Sequence, residues 1–301
     1  MSLIAVTGGT GFVGSHLIDL ALARGHRLRA LTRRPQPARE GIVWVEGALD
    51  RPESLGALVE GCDSVIHVAG IINGSDEDFR RGNVLGTEAM IDAATRAGIR
   101  RFIHVSSLAA REPGLSAYGR SKAESEESVI ASGGDWTIIR PPAVYGPGDR
   151  EILELFRLAR SGVVPLPPGG SLSVIAVSDL CRLLLDCVDA HASITHLYEP
   201  DDGHQGGWSH VEFARMIGRA IGRRVLPLSV PARILRWVAA ADGRIRGSGA
   251  KLTPDRVAYF CHPDWTISPA RRPPEGLWRP QLDTAQGLAE TAAWYKAAGW
   301  L

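Results

Sequence analysis

The sequence predicts an α/β protein, a doubly wound parallel sheet covered by helices on both faces. Three observations carry that reading. Between residue 2 and about residue 180, short β-branched runs alternate with longer helix-like segments. The runs LIAVTG, RLRALTR, DSVIHVAG, RRFIHVSS, DWTIIRP and SVIAVSD are continuous apolar stretches, as strands buried on both sides are. Gly25, Gly61 and Gly98 fall where helices such as SHLIDLALARG must end before the next strand.

Beyond about residue 195 the style changes to Pro-rich and Gly-rich connections and short helix-like pieces, SHVEFARMIGRAIG and PARILRWVAAA. The expected division is a sheet domain over residues 1–195, with some segments after 145 contributing to the other part, and a smaller lobe over residues 196–301. Trp208, Trp237, Trp265, Trp278, Trp294 and Trp300 crowd that lobe, and a compact aromatic core explains them more simply than an aromatic pocket does.

With 301 residues, 45% of them hydrophobic, the chain can bury a sizeable core. Its formal net charge of +1 comes from basic residues spread along the chain, which gives no footprint for nucleic acid or a polybasic membrane contact. Cys62, Cys181, Cys187 and Cys261 show neither a C-x-x-C pair nor zinc spacing, so reduced core thiols are expected. The nine histidines include no ligand spacing either, and His67 and His104 lie in strand-like runs, as satisfied core or pocket groups. No metal site follows. Without a run of about 18 apolar residues or a signal-peptide pattern, a cytoplasmic protein with no transmembrane segment is expected.

Directly after the first strand comes TGGTGFVG, with Gly8, Gly11 and Gly14 at three-residue spacing, and then a helix. A dinucleotide pyrophosphate needs backbone amides aimed at it from a helix N-terminus and glycines that let the chain turn tightly and approach closely. Gly8, Thr10, Gly11, Phe12, Val13 and Gly14 are therefore cofactor-binding candidates, and the fold class becomes Rossmann-type. The second strand ends in Arg33 and Arg34, with no acidic residue before Glu40. Guanidinium groups there suit a 2′-phosphate, so NADP(H) is preferred over NAD(H); the alternative is a pair of solvated loop charges.

SAYGRSK at residues 116–122 puts Tyr118 one helical turn before Lys122, and the Ser106-Ser107 pair ends an apolar run upstream. A phenol with an ordinary pKa near 10 is a poor acid–base group at neutral pH. An ammonium about 5 Å away, at an effective dielectric of ~20, favours the phenolate by roughly 3 kcal/mol. That brings it towards working range, while a serine at the strand end polarises a carbonyl. The alternative is a surface Tyr and Lys on a charged helix.

At this point the chain resembles the extended short-chain dehydrogenase/reductases, the NAD-dependent epimerase/dehydratase family. The motifs are TGGTGFVG, VIHVAG, NVLGTEAMIDAA, FIHVSS, YGRSK and RPPAVYGPGD, in the family's order and spacing. The resemblance implies Tyr118 as acid–base residue, Lys122 on the nicotinamide ribose, and Ser107 on the reacting oxygen, with Ser106 beside the cofactor. It implies that Asn83 supports the neighbouring helix, that Val68, Ala69 and Gly70 line the ribose and adenine pocket, and that Pro141 and Val144 flank the nicotinamide. Where the family has an adenine-binding Asp, this chain has Ala48, leaving Leu49 or Asp50 for that role. Leu108, Ala109 and Ala110 stand where dehydratases carry an Asp-Glu pair, and Ala143 stands where many sugar-nucleotide epimerases carry Asn. The segment looks more like the 3β-hydroxysteroid dehydrogenase and dihydroflavonol reductase branches. The implied function is hydride transfer between nicotinamide and an apolar small-molecule carbonyl or alcohol, with the lobe over residues 196–301 binding substrate. A sugar-nucleotide epimerase with tightly held cofactor, or a cofactor-binding scaffold or sensor, are the rivals. The helices after Asn83 and Tyr118 pair in family dimers, which makes a homodimer possible here.

Overall fold

The structure, a computed structural model, describes residues 2–246 and 253–301. From the start of the chain come β1 (Leu3–Thr7), α1 (Phe12–Ala23), β2 (Arg27–Thr32), β3 (Ile42–Glu46), α2 (Pro52–Val59) and β4 (Ser64–His67). Next are α3 (Asp76–Phe79), a π-helical turn (Arg80–Leu85), α4 (Gly86–Arg96), β5 (Arg101–Val105), a 3₁₀ turn (Leu108–Arg111), α5 (Ala117–Ala131) and β6 (Asp135–Ile139). The middle of the chain holds β7 (Ala143–Tyr145), α6 (Leu153–Arg160), β8 (Val163–Leu166), β9 (Ser171–Leu172), β10 (Val174–Ala176), α7 (Val177–Asp189) and β11 (His196–Tyr198). The last part holds β12 (Trp208–Ser209), α8 (His210–Ala220), β13 (Leu226–Ser229), α9 (Ala232–Arg246), α10 (Pro254–Phe260), β14 (Asp264–Trp265) and α11 (Thr284–Ala297).

These elements form two compact units interleaved along the chain. The first comprises Met1–Pro141, Val177–Pro200 and Ala270–Arg279; the second comprises Pro142–Ala176, Asp201–Pro269 and Pro280–Leu301.

The first unit is built on a seven-stranded sheet in the order β11-β6-β5-β4-β1-β2-β3, with every pairing parallel. The strand order reverses between β1 and β4, which opens the crevice where doubly wound sheets take ligands. Ile4, Ala5, Val65, Ile66, Ile103 and Ile138 are fully buried, as strands covered on both faces require. Gly25, Gly61 and Gly98 have φ of 79°, 68° and 75°, the left-handed conformation expected where helices stop.

Two strands of this sheet escape the sequence reading. IVWVE, now β3, has Ile42 buried, Val43 exposed and Trp44 and Val45 half-buried, the pattern of an edge strand rather than a doubly covered one. β11 is three residues long and leans on β6 for its hydrogen bonds. In the opposite sense, SVIAVSD does not join the sheet: Val174–Ala176 pairs in parallel with β7, in the second unit. An apolar run reports burial on both faces and says nothing of its partner.

The second unit has its own core, in which Tyr145, Phe156, Val164, Phe213, Ile217, Leu288 and Tyr295 meet. Trp208 and Trp300 pack against it, and Trp265 is buried. Three tryptophans depart from the expected aromatic core of this lobe, among them Trp294, which is exposed on α11 beside Trp300. Trp278 belongs to the first unit, where its indole N–H donates to Asp179 O at 3.0 Å, and Trp237 on α9 is 78% exposed.

Candidate active site

Apart from Val144, which lies on β7 in the second unit, every residue singled out above as a site candidate falls in the first unit. The glycine loop follows β1 at the switch point. Gly8 has φ 73°, and a Cβ there would sit 2.8 Å from Ala69 N, so the loop after β1 and the loop after β4 touch through bare backbone. At Gly14 a Cβ would fall 2.0 Å from Gly8 O, which makes glycine obligatory where α1 crosses its own loop. Gly11 N donates to Gly8 O at 2.9 Å and closes the turn. Thr10 and Gly11 are exposed, Phe12 and Val13 partly so, and no side chain caps the first turn of α1. The first-turn amides and the positive end of the helix are left for an anion, so the donor set fits a dinucleotide pyrophosphate.

Around this loop, Thr7 Oγ1 accepts from Ala69 N at 3.2 Å and meets His67 Nδ1 at 2.7 Å. Val68 and Ala69 are half-buried and Gly70 is exposed. Leu49 is wedged against α4, where a Cβ on Gly86 would come within 2.7 Å of it. Asp50 is exposed, 3.9 Å from Arg81. Arg33 and Arg34 follow β2 with both side chains exposed, and Thr32 Oγ1 donates to Arg34 O at 2.6 Å to fix the bend between strand and loop. Neither guanidinium has a carboxylate partner among the described residues.

Lys122 is buried and held by backbone. It is 4% exposed, and its Nζ donates to Val105 O at 2.9 Å, which ties α5 to the end of β5 where the serine pair begins. Burial pushes its ammonium down to about 8 from an ordinary 10.5, with Glu126 pulling the other way. Tyr118, one turn earlier, is half-buried with its ring 5.9 Å from that of Phe79. Gly119 explains how the start of α5 lies against the 3₁₀ turn after Ser107: a Cβ there would be 2.7 Å from Ala109 O. Ser107 caps that turn by accepting from Ala109 N at 3.2 Å, and Pro141 O accepts from Leu108 N at 2.9 Å. The cluster thus gathers Ser107, Tyr118 and Lys122 around one helix start and one strand end.

Asn83 sits on the π turn and is buried, with its carboxamide fully used. Its Oδ1 accepts from Ile71 N at 2.8 Å, and its Nδ2 donates to Ile71 O at 3.1 Å and to Ser121 Oγ at 2.9 Å. Ser121 Oγ donates in turn to Tyr118 O at 2.8 Å. Asn83 therefore positions both the loop after β4 and the helix bearing Tyr118.

Sequence reasoning missed a second layer of charge. Ser106 donates its hydroxyl to Glu126 Oε1, and Arg140 binds the same carboxylate through both oxygens, Nε to Oε1 at 2.8 Å and Nη2 to Oε2 at 2.6 Å. Arg140 also reaches Glu199 Oε1 at 3.4 Å, and Arg271 lies 3.9 Å from that oxygen. Burial works against the Arg140 charge, yet Glu126 and Glu199 more than offset it and hold the group above its ordinary value. A signal was present: Tyr118, Lys122 and Glu126 recur at four-residue spacing, which puts all three on one helix face. Below them His67 and His104 stack at 5.6 Å. Burial, reinforced by the Lys122 charge, pushes His67 down to about 3 and His104 well below its ordinary range, so both are neutral. No cluster of three or more His, Cys, Asp or Glu that could hold a metal is found among the described residues.

An NAD(P)H-binding family model matches residues 8–181. The ceramide reductase of Caulobacter vibrioides is 37% identical over 99% of this chain and 96% of its own length. The chain belongs to the extended short-chain dehydrogenase/reductase family. The 3 beta-hydroxysteroid dehydrogenase/Delta 5→4-isomerase of Mycobacterium tuberculosis is 28% identical over 97% of this chain and 90% of its own length. Among solved structures, MoeE5 in complex with UDP-glucose and NAD shares the fold with a TM-score of 0.76, at 22% identity over 99% of both chains. Membership in this NAD(P)-binding oxidoreductase family agrees with the glycine cradle of the first unit.

The Lys122 charge carries a stability consequence. Its folded value near 8 lies below the ordinary 10.5, so below pH 8 both folded and unfolded chains hold the proton and the burial cost is complete. Between pH 8 and 10.5 the unfolded chain holds more protons than the folded one, and stability contributed by this group rises with pH. Lys122→Met should therefore be more stable than the parent at pH 7, by about 1–3 kcal/mol in urea unfolding, with the gain shrinking towards pH 10.5. A variant less stable at pH 7 would show that the partners of the ammonium outweigh its desolvation.

Proposed function

We propose that this chain is an NADPH-dependent reductase of an apolar, lipid-like ketone, with Tyr118 as the proton donor. The observation that carries the reading is the buried Lys122 ammonium, anchored to Val105 O one helical turn from Tyr118 and beside the Ser106-Ser107 strand end. Gly8, Gly11 and Gly14 with the first amides of α1 would hold the pyrophosphate, Arg33 and Arg34 the 2′-phosphate, and Lys122 the nicotinamide ribose. Bound NADPH supplies the hydride that reaches the carbonyl carbon. Tyr118 gives its phenolic proton to the carbonyl oxygen, and the nearby ammonium stabilises the phenolate left behind. Ser107 holds that oxygen by a hydrogen bond that strengthens as negative charge develops on it. With Ser106 committed to Glu126, the second serine of the pair is the one left to face substrate.

The names of two relatives support an apolar substrate. One reduces ceramide-type lipid by its name and another acts on a steroid, and the absence of a dehydratase Asp-Glu pair after Ser107 agrees with them. Ala143, in place of an Asn that meets a substrate diphosphate, argues against the epimerase reading.

Two measurements test this. Tyr118→Phe should lower turnover on a long-chain ketone by on the order of 10² to 10⁴ while leaving the NADPH dissociation constant near that of the parent. Unchanged turnover would remove Tyr118 from the mechanism. Fluorescence titration should find NADPH bound more tightly than NADH, with Arg33→Ala and Arg34→Ala together erasing most of the difference. Equal affinities in the parent would overturn the role given to the two arginines, and turnover of sugar nucleotides with no net cofactor oxidation would favour an epimerase.

A further inference from the structure

Helix α9 presents apolar residues on two sides. Ala239 is fully buried and Leu235 half-buried, and they anchor the helix inward. Ile234, Trp237 and Val238, at the i, i+3, i+4 spacing of a single stripe, point the other way and are 47%, 78% and 51% exposed. An indole is among the largest apolar side chains, and leaving one in water forfeits its burial. Along one flank of the stripe run Arg233, Arg236 and Arg244, all exposed. The strand that leads into the helix repeats the theme, with Leu226 59% and Leu228 47% exposed on β13.

Charge is concentrated here as well, which corrects the even spread of basic residues, and the lack of a polybasic membrane footprint, expected from the chain as a whole. Residues 223–246 contain six arginines and one aspartate, a local surplus of five positive charges in a chain whose net charge is only +1. Fifteen residues of helix are too few to cross a bilayer, which needs about 20, but enough to lie along one. An exposed Trp-centred stripe with arginines along its flank is the composition of helices that lie in the plane of a membrane interface, indole at the headgroup level and cations on phosphates.

We infer that α9 is a membrane-docking helix that seats the protein on an anionic phospholipid surface. Trp237, with Ile234 and Val238, enters the headgroup boundary, and Arg233, Arg236 and Arg244 pair with lipid phosphates. The charge surplus selects this occupant over a second copy of the chain, since two such faces brought together would oppose their arginines. The inference goes beyond the proposed reaction and does not rest on it, although an enzyme stationed at a bilayer would meet lipid-like substrates where they dissolve.

Flotation of the purified 301-residue chain with vesicles tests it, without substrate or turnover, so the outcome is separate from that of the reductase reading. With phosphatidylcholine vesicles containing roughly 30% phosphatidylglycerol at about 0.1 M salt, the protein should float, and with pure phosphatidylcholine it should float far less. Each of Arg233→Gln, Arg236→Gln and Arg244→Gln should weaken partition about fivefold. The double variant Ile234→Ser, Trp237→Ser should lose on the order of tenfold or more, with an unchanged circular dichroism spectrum because both positions are exposed. Val43→Ser, an exposed apolar position in the first unit, should float like the parent. No flotation of the parent, flotation indifferent to lipid charge, or a dimer in vesicle-free sedimentation that the double variant splits would each overturn the proposal.

Discussion

One buried cation organises the first unit. Lys122 lies inside the protein with its ammonium on Val105 O, and a buried charge is tolerated only where neighbours answer it. Glu126 answers it from the next turn of α5, and that carboxylate is held in turn by Ser106 and both arms of Arg140. Arg140 stands at the end of β6, where its backbone N–H donates to Tyr198 O at 2.8 Å, so the pair also fixes β11. Glu199 comes next, reached by Arg140 and Arg271, and its own N–H donates to Arg271 O at 2.8 Å. The relay from Lys122 to Arg271 therefore gives a physical reason why the chain returns to the first unit twice, at Val177–Pro200 and at Ala270–Arg279. Each return brings a group that the charge at Lys122 indirectly requires.

The same cation shapes its other neighbours. His67 and His104 stay neutral because they are buried and because an ammonium stands close by, and they fill their places as packed, hydrogen-bonding rings. Asn83 works without charge. Its amide joins Ile71 to Ser121, and so couples the loop beside Gly70 to the helix that carries Tyr118 and Lys122. The glycine loop and the cluster of Ser107, Tyr118 and Lys122 are held on one scaffold by a π turn, a clamp and a buried ion network.

Much of this was legible in the chain. The glycine loop announces itself because Gly8 and Gly14 leave no room for a Cβ, and the same crowding makes the pattern readable in one sequence. The central strands announce themselves by uninterrupted apolar character. Illegible features share one cause, dependence on surroundings that the local residue pattern does not report. The β3 and β11 strands exist through the strands they pair with, SVIAVSD takes its partner from β7, and Trp237 looks like a core residue until its surroundings are known. Glu126 reads as one more charge in AESEES, and Arg140 as the lead-in to a proline pair; only their meeting at 2.6 Å shows that each is buried for the other.

The most direct test follows the Lys122 proton itself. The chain has three lysines, so NMR of ¹³Cε-labelled lysine follows each one, and Lys122 is expected to titrate near 8. In Glu126→Gln the midpoint of Lys122 should fall further, by about one unit or more, because the carboxylate that favours the charged form is gone. A midpoint that stays where it is in the parent, or that rises, would contradict the account in which Glu126 and its arginine hold the cation at the heart of the site.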